Sequence, residues 1–141
     1  MRRERADRER YDRNHAVEVK RAARLIDQEL VRAWAVANSW VEEKRWSSPA
    51  VPLLSLSIEA RQKYLDTIAA DLSDEAWTSV TGALQAADTI RVIRGMPRNR
   101  ATAIPDDEVK LYVPLLKNID KGRRGLAPYQ LDLRAAGKST R

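Results

Sequence analysis

His15 is the only histidine in a chain of 141 residues, and there is no cysteine at all. A catalytic imidazole needs a carboxylate to orient it, and His15 lies beside Asn14 in a charged helical stretch, so it reads as exposed and structural. Paired histidine ligands are impossible, and disulfides, thiol catalysis and thiolate metal sites are excluded. Acidic groups do cluster, as Glu42-Glu43, Asp74-Glu75 and Asp106-Asp107-Glu108. The last two fall at helix starts, where the positive end of the helix dipole accounts for them, and Glu42-Glu43 followed by Lys44-Arg45 has the character of a solvated helix end. Gly137-Lys138-Ser139-Thr140 has the ending of a phosphate-binding loop, but the glycine required five positions earlier is Asp132 and no apolar strand precedes it. No nucleophile, base and metal set can be assembled, so the expectation is a non-enzyme with no cofactor, metal or small-molecule ligand.

Binding chemistry is better represented. Arg91, Arg94, Arg98 and Arg100, with Lys117, Lys121, Arg123 and Arg124 further on, form a candidate surface for an anionic partner. Such side chains hold phosphates without reading bases. No helix-turn-helix, zinc-finger or aromatic RNA-binding signature accompanies them. Among the four tryptophans, Trp40 and Trp77 fall on core stripes, whereas Trp46 stands where a helix runs out, either partly buried against the Val51-Pro52-Leu53 connector or a candidate anchor for another chain.

The elements that must carry these groups are helices. Ala16, Val19, Ala23, Ile26, Leu30, Ala33, Ala37 and Trp40 follow one another at alternating spacings of three and four, the stripe a long helix presents to a partner. The first packed helix is expected over residues 16–45, ended by Ser47-Ser48-Pro49. Small residues at 23, 33 and 37 permit close approach, so the seam would pair within the chain or with a second copy. Ahead of it, residues 2–14 are charged or polar except Ala6 and Tyr11, and Glu4 to Arg8 and Glu9 to Arg13 are acid-before-base pairs four apart.

Residues 50–56 form an apolar connector. Ser57 then caps a helix through residue 71, with Ile58, Tyr64, Leu65, Ile68, Ala69 and Leu72 as its expected buried set. Ser73 caps a third helix that buries Trp77, Val80, Leu84, Ala87, Ile90 and Ile93 and stops at Gly95 with Pro97 beyond. Residues 96–103 read as a loop. Pro105 opens a fourth helix carrying Val109, Tyr112, Leu115, Leu116 and Ile119, which Pro114 should kink or divide and Gly122 should close. Domain organisation is therefore a charged helical extension (1–15), a helical bundle (16–121) and a basic flexible tail (122–141).

Composition agrees with a single all-α domain: 43% hydrophobic residues, 33% charged and no phenylalanine. The net charge of +6 is uneven, since residues 1–88 hold 14 basic against 15 acidic side chains and residues 89–141 hold 12 against 5. A positive C-terminal third attracts nucleic acid, acidic protein or anionic lipid by its field. The opening residues lack the apolar core of a secretory signal, no apolar run approaches the ~20 residues that span a bilayer, and the absence of cysteine fits the cytoplasm.

The runs AARLIDQELVRAW, VEEKRW and LSIEARQKYLDTIAADLSDEAWTSVTGAL resemble a loose group of uncharacterised actinobacterial proteins. In that group an Arg/Glu-rich helix leads into a small helical bundle, with tryptophans at the places of Trp46 and Trp77. The resemblance covers about residues 16–94. It implies an all-helical fold and supplies no catalytic residue; many members carry a membrane helix before the charged one. The expected protein is thus a long N-terminal helix packed on a helical hairpin and a kinked fourth helix. Its expected work is binding another protein or a second copy of itself, the alternative being nucleic acid or another anionic surface.

Overall fold

The computed structural model describes residues 2–46, 57–96 and 102–130. They form four helices: α1 (Arg2–Glu43), α2 (Ile58–Ala69), α3 (Asp74–Gly95) and α4 (Asp106–Gln130). No strand occurs among the described residues, apart from a single bridge between Arg45 and Ala103. α1 is the spine on which α2, α3 and α4 all pack, and α4 also lies along α3.

The seam behaves as its spacing demands. Val19, Ala23, Ile26, Leu30, Ala33, Ala37 and Trp40 are all buried, joined by Ala22 and Val36 one position to the side. Only Ala16, at the lower end, stays exposed. Because the chain's own helices cover this stripe, the seam is closed to a second copy in the folded monomer. Residues 3–14 continue the same helix with every described side chain exposed, so α1 overhangs its bundle. The expected Glu9 to Arg13 ion pair is replaced there by a bond from Arg13 Nε to the Glu9 carbonyl, 3.3 Å.

α1 stops at Glu43, ahead of the Ser-Ser-Pro signal. Lys44 takes a left-handed conformation (φ 54°) and donates its N–H to the Trp40 carbonyl at 2.9 Å, closing the last turn as a glycine usually does. The chain then pairs with residues 102–104: Ile104 N–H donates to the Lys44 carbonyl at 2.7 Å, and Trp46 N–H to Thr102 at 3.4 Å. Tertiary pairing sets this boundary, with α1's end held against α4's start. The connector at 50–56 lies outside the described residues.

Ser57 and Ser73 cap α2 and α3 as expected, each hydroxyl accepting an amide N–H three residues on, from Ala60 and Ala76, at 3.1 Å. α3 ends at Gly95 as its sequence implies. Ile58 and Ala69, expected in the core, are exposed, Ile58 by 74%, since they stand at the two ends of α2 and only Leu65 and Ile68 of that helix are buried.

α4 is the expected fourth helix but does not end where expected. It runs undivided through Pro114 and Pro128, which sit on the exposed side, where the carbonyls deprived of a donor can turn to water. Nor does Gly122 close it. Residues 122–130, expected as the start of a flexible tail, extend the helix by two more turns and bury Leu126. Gly122 is instead the point where α4 crosses α3. A Cβ placed there would overlap the Ala83 methyl and stand 2.9 Å from the Ser79 carbonyl oxygen. The absent side chain lets the two backbones meet.

Candidate interaction surface

α4 sorts its residues onto two faces. Val109, Tyr112, Ile119, Gly122 and Leu126 turn inward, which sends Lys110, Pro114, Lys117, Lys121, Arg124 and Pro128 outward along a single line at spacings of four and three. All six are exposed. The line from Lys110 to Arg124 is about 21 Å long. Among the described residues no carboxylate lies within ion-pair distance of Lys110, Lys117, Lys121 or Arg124. Beside its lower end, Lys121 and Arg124 border a shallow open notch with Ser73, Ser79 and Gly125, though Glu75 lies in it too. Leu111, 67% exposed, adds an apolar element near the upper end.

Of the eight basic residues picked out by sequence, the structure brings Lys117, Lys121 and Arg124 onto this line. Arg123, their neighbour, points the other way: its Nε donates to Asp27 Oδ1 on α1 at 2.9 Å. Arg91 is also turned inward, to Glu29. These two are internal ties rather than parts of an external surface. Arg94 is half-buried in the last turn of α3, and Arg98 and Arg100 lie outside the described residues, as does the Gly137-Lys138-Ser139-Thr140 run.

Trp46 is not an exposed anchor. It is 9% exposed and stands edge-on to Trp40 (centroids 5.3 Å apart) and Tyr112 (5.8 Å), with Trp40 and Tyr112 themselves 5.4 Å apart. The bonds between residues 44–46 and 102–104 hold it there. Three rings in mutual contact fasten the junction of α1 and α4, each such pair adding about 0.5–1.5 kcal/mol beyond its buried area.

One polar group was missed by sequence reasoning. Glu29 is 1% exposed, and its Oε1 accepts from Arg91 Nη2 at 3.0 Å. Arg91 also lies 3.6 Å from Asp88, which receives two bonds from Arg61 of α2, at 2.7 and 3.1 Å. The quartet thus joins α1, α2 and α3. Glu29 Oε2 and Arg91 Nε are buried without a partner among the described residues. Burial raises the Glu29 pKa above the ordinary carboxylate value, and Arg61 and Arg91 offset this in part. A signal was present: Glu29 falls in the apolar register Ala22, Ile26, Glu29, Ala33, Val36, and Arg91 in the register Val80, Leu84, Ala87, Arg91. Two opposite charges on two buried stripes predict each other.

His15 does have a carboxylate, Asp71, with Nε2 and Oδ2 2.8 Å apart and both side chains about one-third exposed. Tyr11 stacks on its ring at 6.1 Å, and the Tyr129 hydroxyl donates to the Asp71 carbonyl at 2.8 Å. These contacts tie α1, the α2–α3 corner and the end of α4 together. Among the described residues no group of three metal-ligating side chains forms, and no helix is long and apolar enough to cross a membrane.

Comparison with known proteins adds no assignment: no protein family, curated protein or solved structure matches the chain. The functional reading rests on the geometry.

Proposed function

We propose that this protein is a non-enzymatic helical interaction module whose working surface is the outer face of α4 and whose partner is an acidic protein segment. The observation that carries this is the line of Lys110, Lys117, Lys121 and Arg124, exposed and without an ion-pair partner among the described residues, on a helix whose other face is locked into the core. Aligned like charges repel unless something anionic lies along them. Leu111 beside the line favours a protein partner, which has apolar side chains to offer it. A cytoplasmic location fits the absence of cysteine.

The test is fluorescence anisotropy with labelled polyglutamate at low and moderate salt. Binding is expected at low salt, to weaken as salt screens the surface, and to be lost in the triple variant Lys117→Gln/Lys121→Gln/Arg124→Gln. Equal binding by the variant overturns the assignment of the face.

A second reading takes the same line as a track for one nucleic-acid backbone, which the lack of acidic side chains within it favours. Four phosphate contacts would then give a log–log salt slope of about −3 to −4 on duplex DNA. Tighter binding to DNA than to polyglutamate with that slope would select it.

A further inference from the structure

The overhanging part of α1 carries an acidic line of its own. Glu4, Asp7, Tyr11, Asn14 and Glu18 follow at spacings of three, four, three and four, and all five are exposed. Taken from its C-terminal end, the α4 line is Arg124, Lys121, Lys117, Pro114 and Lys110, again at three, four, three and four. Laid antiparallel, Glu4 meets Arg124, Asp7 meets Lys121, Tyr11 meets Lys117 and Glu18 meets Lys110, with Asn14 over Pro114. The three acid–base pairs attract by charge and Tyr11 with Lys117 as ring and cation, while Asn14 over Pro114 is neutral. None of Glu4, Asp7 and Glu18 is in an ion pair with a described residue. Arg5 and Arg13 fall on the opposite side of the arm, while Arg3 and Arg10 flank the line beside Asp7 and Arg8 flanks it beside Glu4.

We propose that the partner of the α4 face is a second copy of this chain, which lays its α1 overhang antiparallel along that face. The proposal rests on the reading of α4's outer face as the working surface and names its occupant. Within one molecule the arm cannot reach that face, because α1 and α4 are locked side by side by Asp27–Arg123 and Lys44–Asp106. Those same pairs show α1 and α4 running in opposite directions. An arm antiparallel to α4 therefore leaves the α1 helices of the two copies parallel, with residue 4 of one near the level of residue 26 of the other. The displacement is about 33 Å along the axis. Such a contact is heterologous and does not close on itself, so it adds copies head to tail rather than stopping at a dimer. Surface ion pairs dominate it, which makes the association weak, reversible and sensitive to salt.

Sedimentation velocity on the full chain tests this over a wide concentration range, at about 20 mM and about 300 mM salt. At low salt the sedimentation coefficient should climb with concentration past the dimer value; at high salt it should stay that of the monomer. Two variants, Glu4→Lys/Asp7→Lys and Lys117→Glu/Lys121→Glu/Arg124→Glu, should each be monomeric at low salt with wild-type helicity and melting. Mixed together they should associate again, since the reversed arm of one now complements the reversed face of the other. A monomer at every concentration overturns the inference, and so does association that survives either reversal or is not restored by mixing. If the monomer still binds polyglutamate through α4, the working-surface reading stands and only its occupant is wrong; if it binds neither, both fall.

Discussion

The inward and outward faces of the last two helices carry the same residue types to opposite ends. Arg91 and Arg123 reach into the bundle and hold Glu29 and Asp27 of α1; Lys117, Lys121 and Arg124, from the same basic stretch, touch no described carboxylate. Glycine divides in the same way. Gly122 is in contact with α3 backbone, whereas a Cβ at Gly125 would find its nearest atoms, all in Ala76, at 3.5–3.6 Å. Charge content and composition do not separate these sets. Helical phase does, and each set should answer mutation differently.

The largest effect is expected at the inward cation. Arg91→Met leaves Glu29 buried without its counter-ion and should lower stability by about 3 kcal/mol near neutral pH. The loss should shrink as pH is lowered towards 4.5, the ordinary carboxylate value, because protonation removes the unpaired charge; urea unfolding at neutral pH and at pH 4.5 measures both. An equal loss at both would break the link between Arg91 and Glu29.

Next comes the crossing. Gly122→Ala forces α3 and α4 apart and should cost about 1–3 kcal/mol, while Gly125→Ala, in ordinary contact distance, should gain up to about 1 kcal/mol from helix propensity. Thermal melts of the two variants should therefore move in opposite directions. Matching shifts would mean that the helices are not in backbone contact at residue 122.

Glu29→Gln sharpens the contrast through pH. Because the folded-state pKa of Glu29 lies above its ordinary value of 4.5, the native protein holds this proton more tightly than the unfolded chain. The contribution is full below pH 4.5 and is lost as pH rises through the folded-state value. The variant should thus gain on the wild type as pH increases from 4.5 to 8, measured as the difference in unfolding free energy. A constant difference would show that Glu29 titrates as in the unfolded chain. Smallest of all, Lys117→Gln/Lys121→Gln should change stability by no more than about 0.5 kcal/mol, as exposed positions do.

How far the sequence could be read follows from the same division. Repeating signals were legible: the seam from Val19 to Trp40, the serine caps at 57 and 73, the close of α3 at Gly95. Each is decided within a few residues of itself. Single residues whose meaning depends on a distant neighbour were not. Gly122 has the chemistry of a helix stop, and only the presence of Ala83 and Ser79 across from it makes it a crossing point. Trp46 stands at a helix end, and residues 102–104 fold it inward. Arg91 and Arg123 are basic side chains until Glu29 and Asp27 are known to face them. For the surface, the outward line on α4 is half visible in the sequence, where charge marks Lys117, Lys121 and Arg124; seeing that Lys110 shares their line requires knowing that one helix runs through Pro114 and past Gly122.

The overhang of α1 also governs how the molecule moves through solvent. Residues 3–14 extend as about 18 Å of rod with nothing described packed beside them, so drag is set by length as much as by mass. The lone protein should diffuse more slowly than a sphere of 16.0 kDa, and trimming those twelve residues should restore much of the difference while leaving the buried seam, which begins at Val19, untouched.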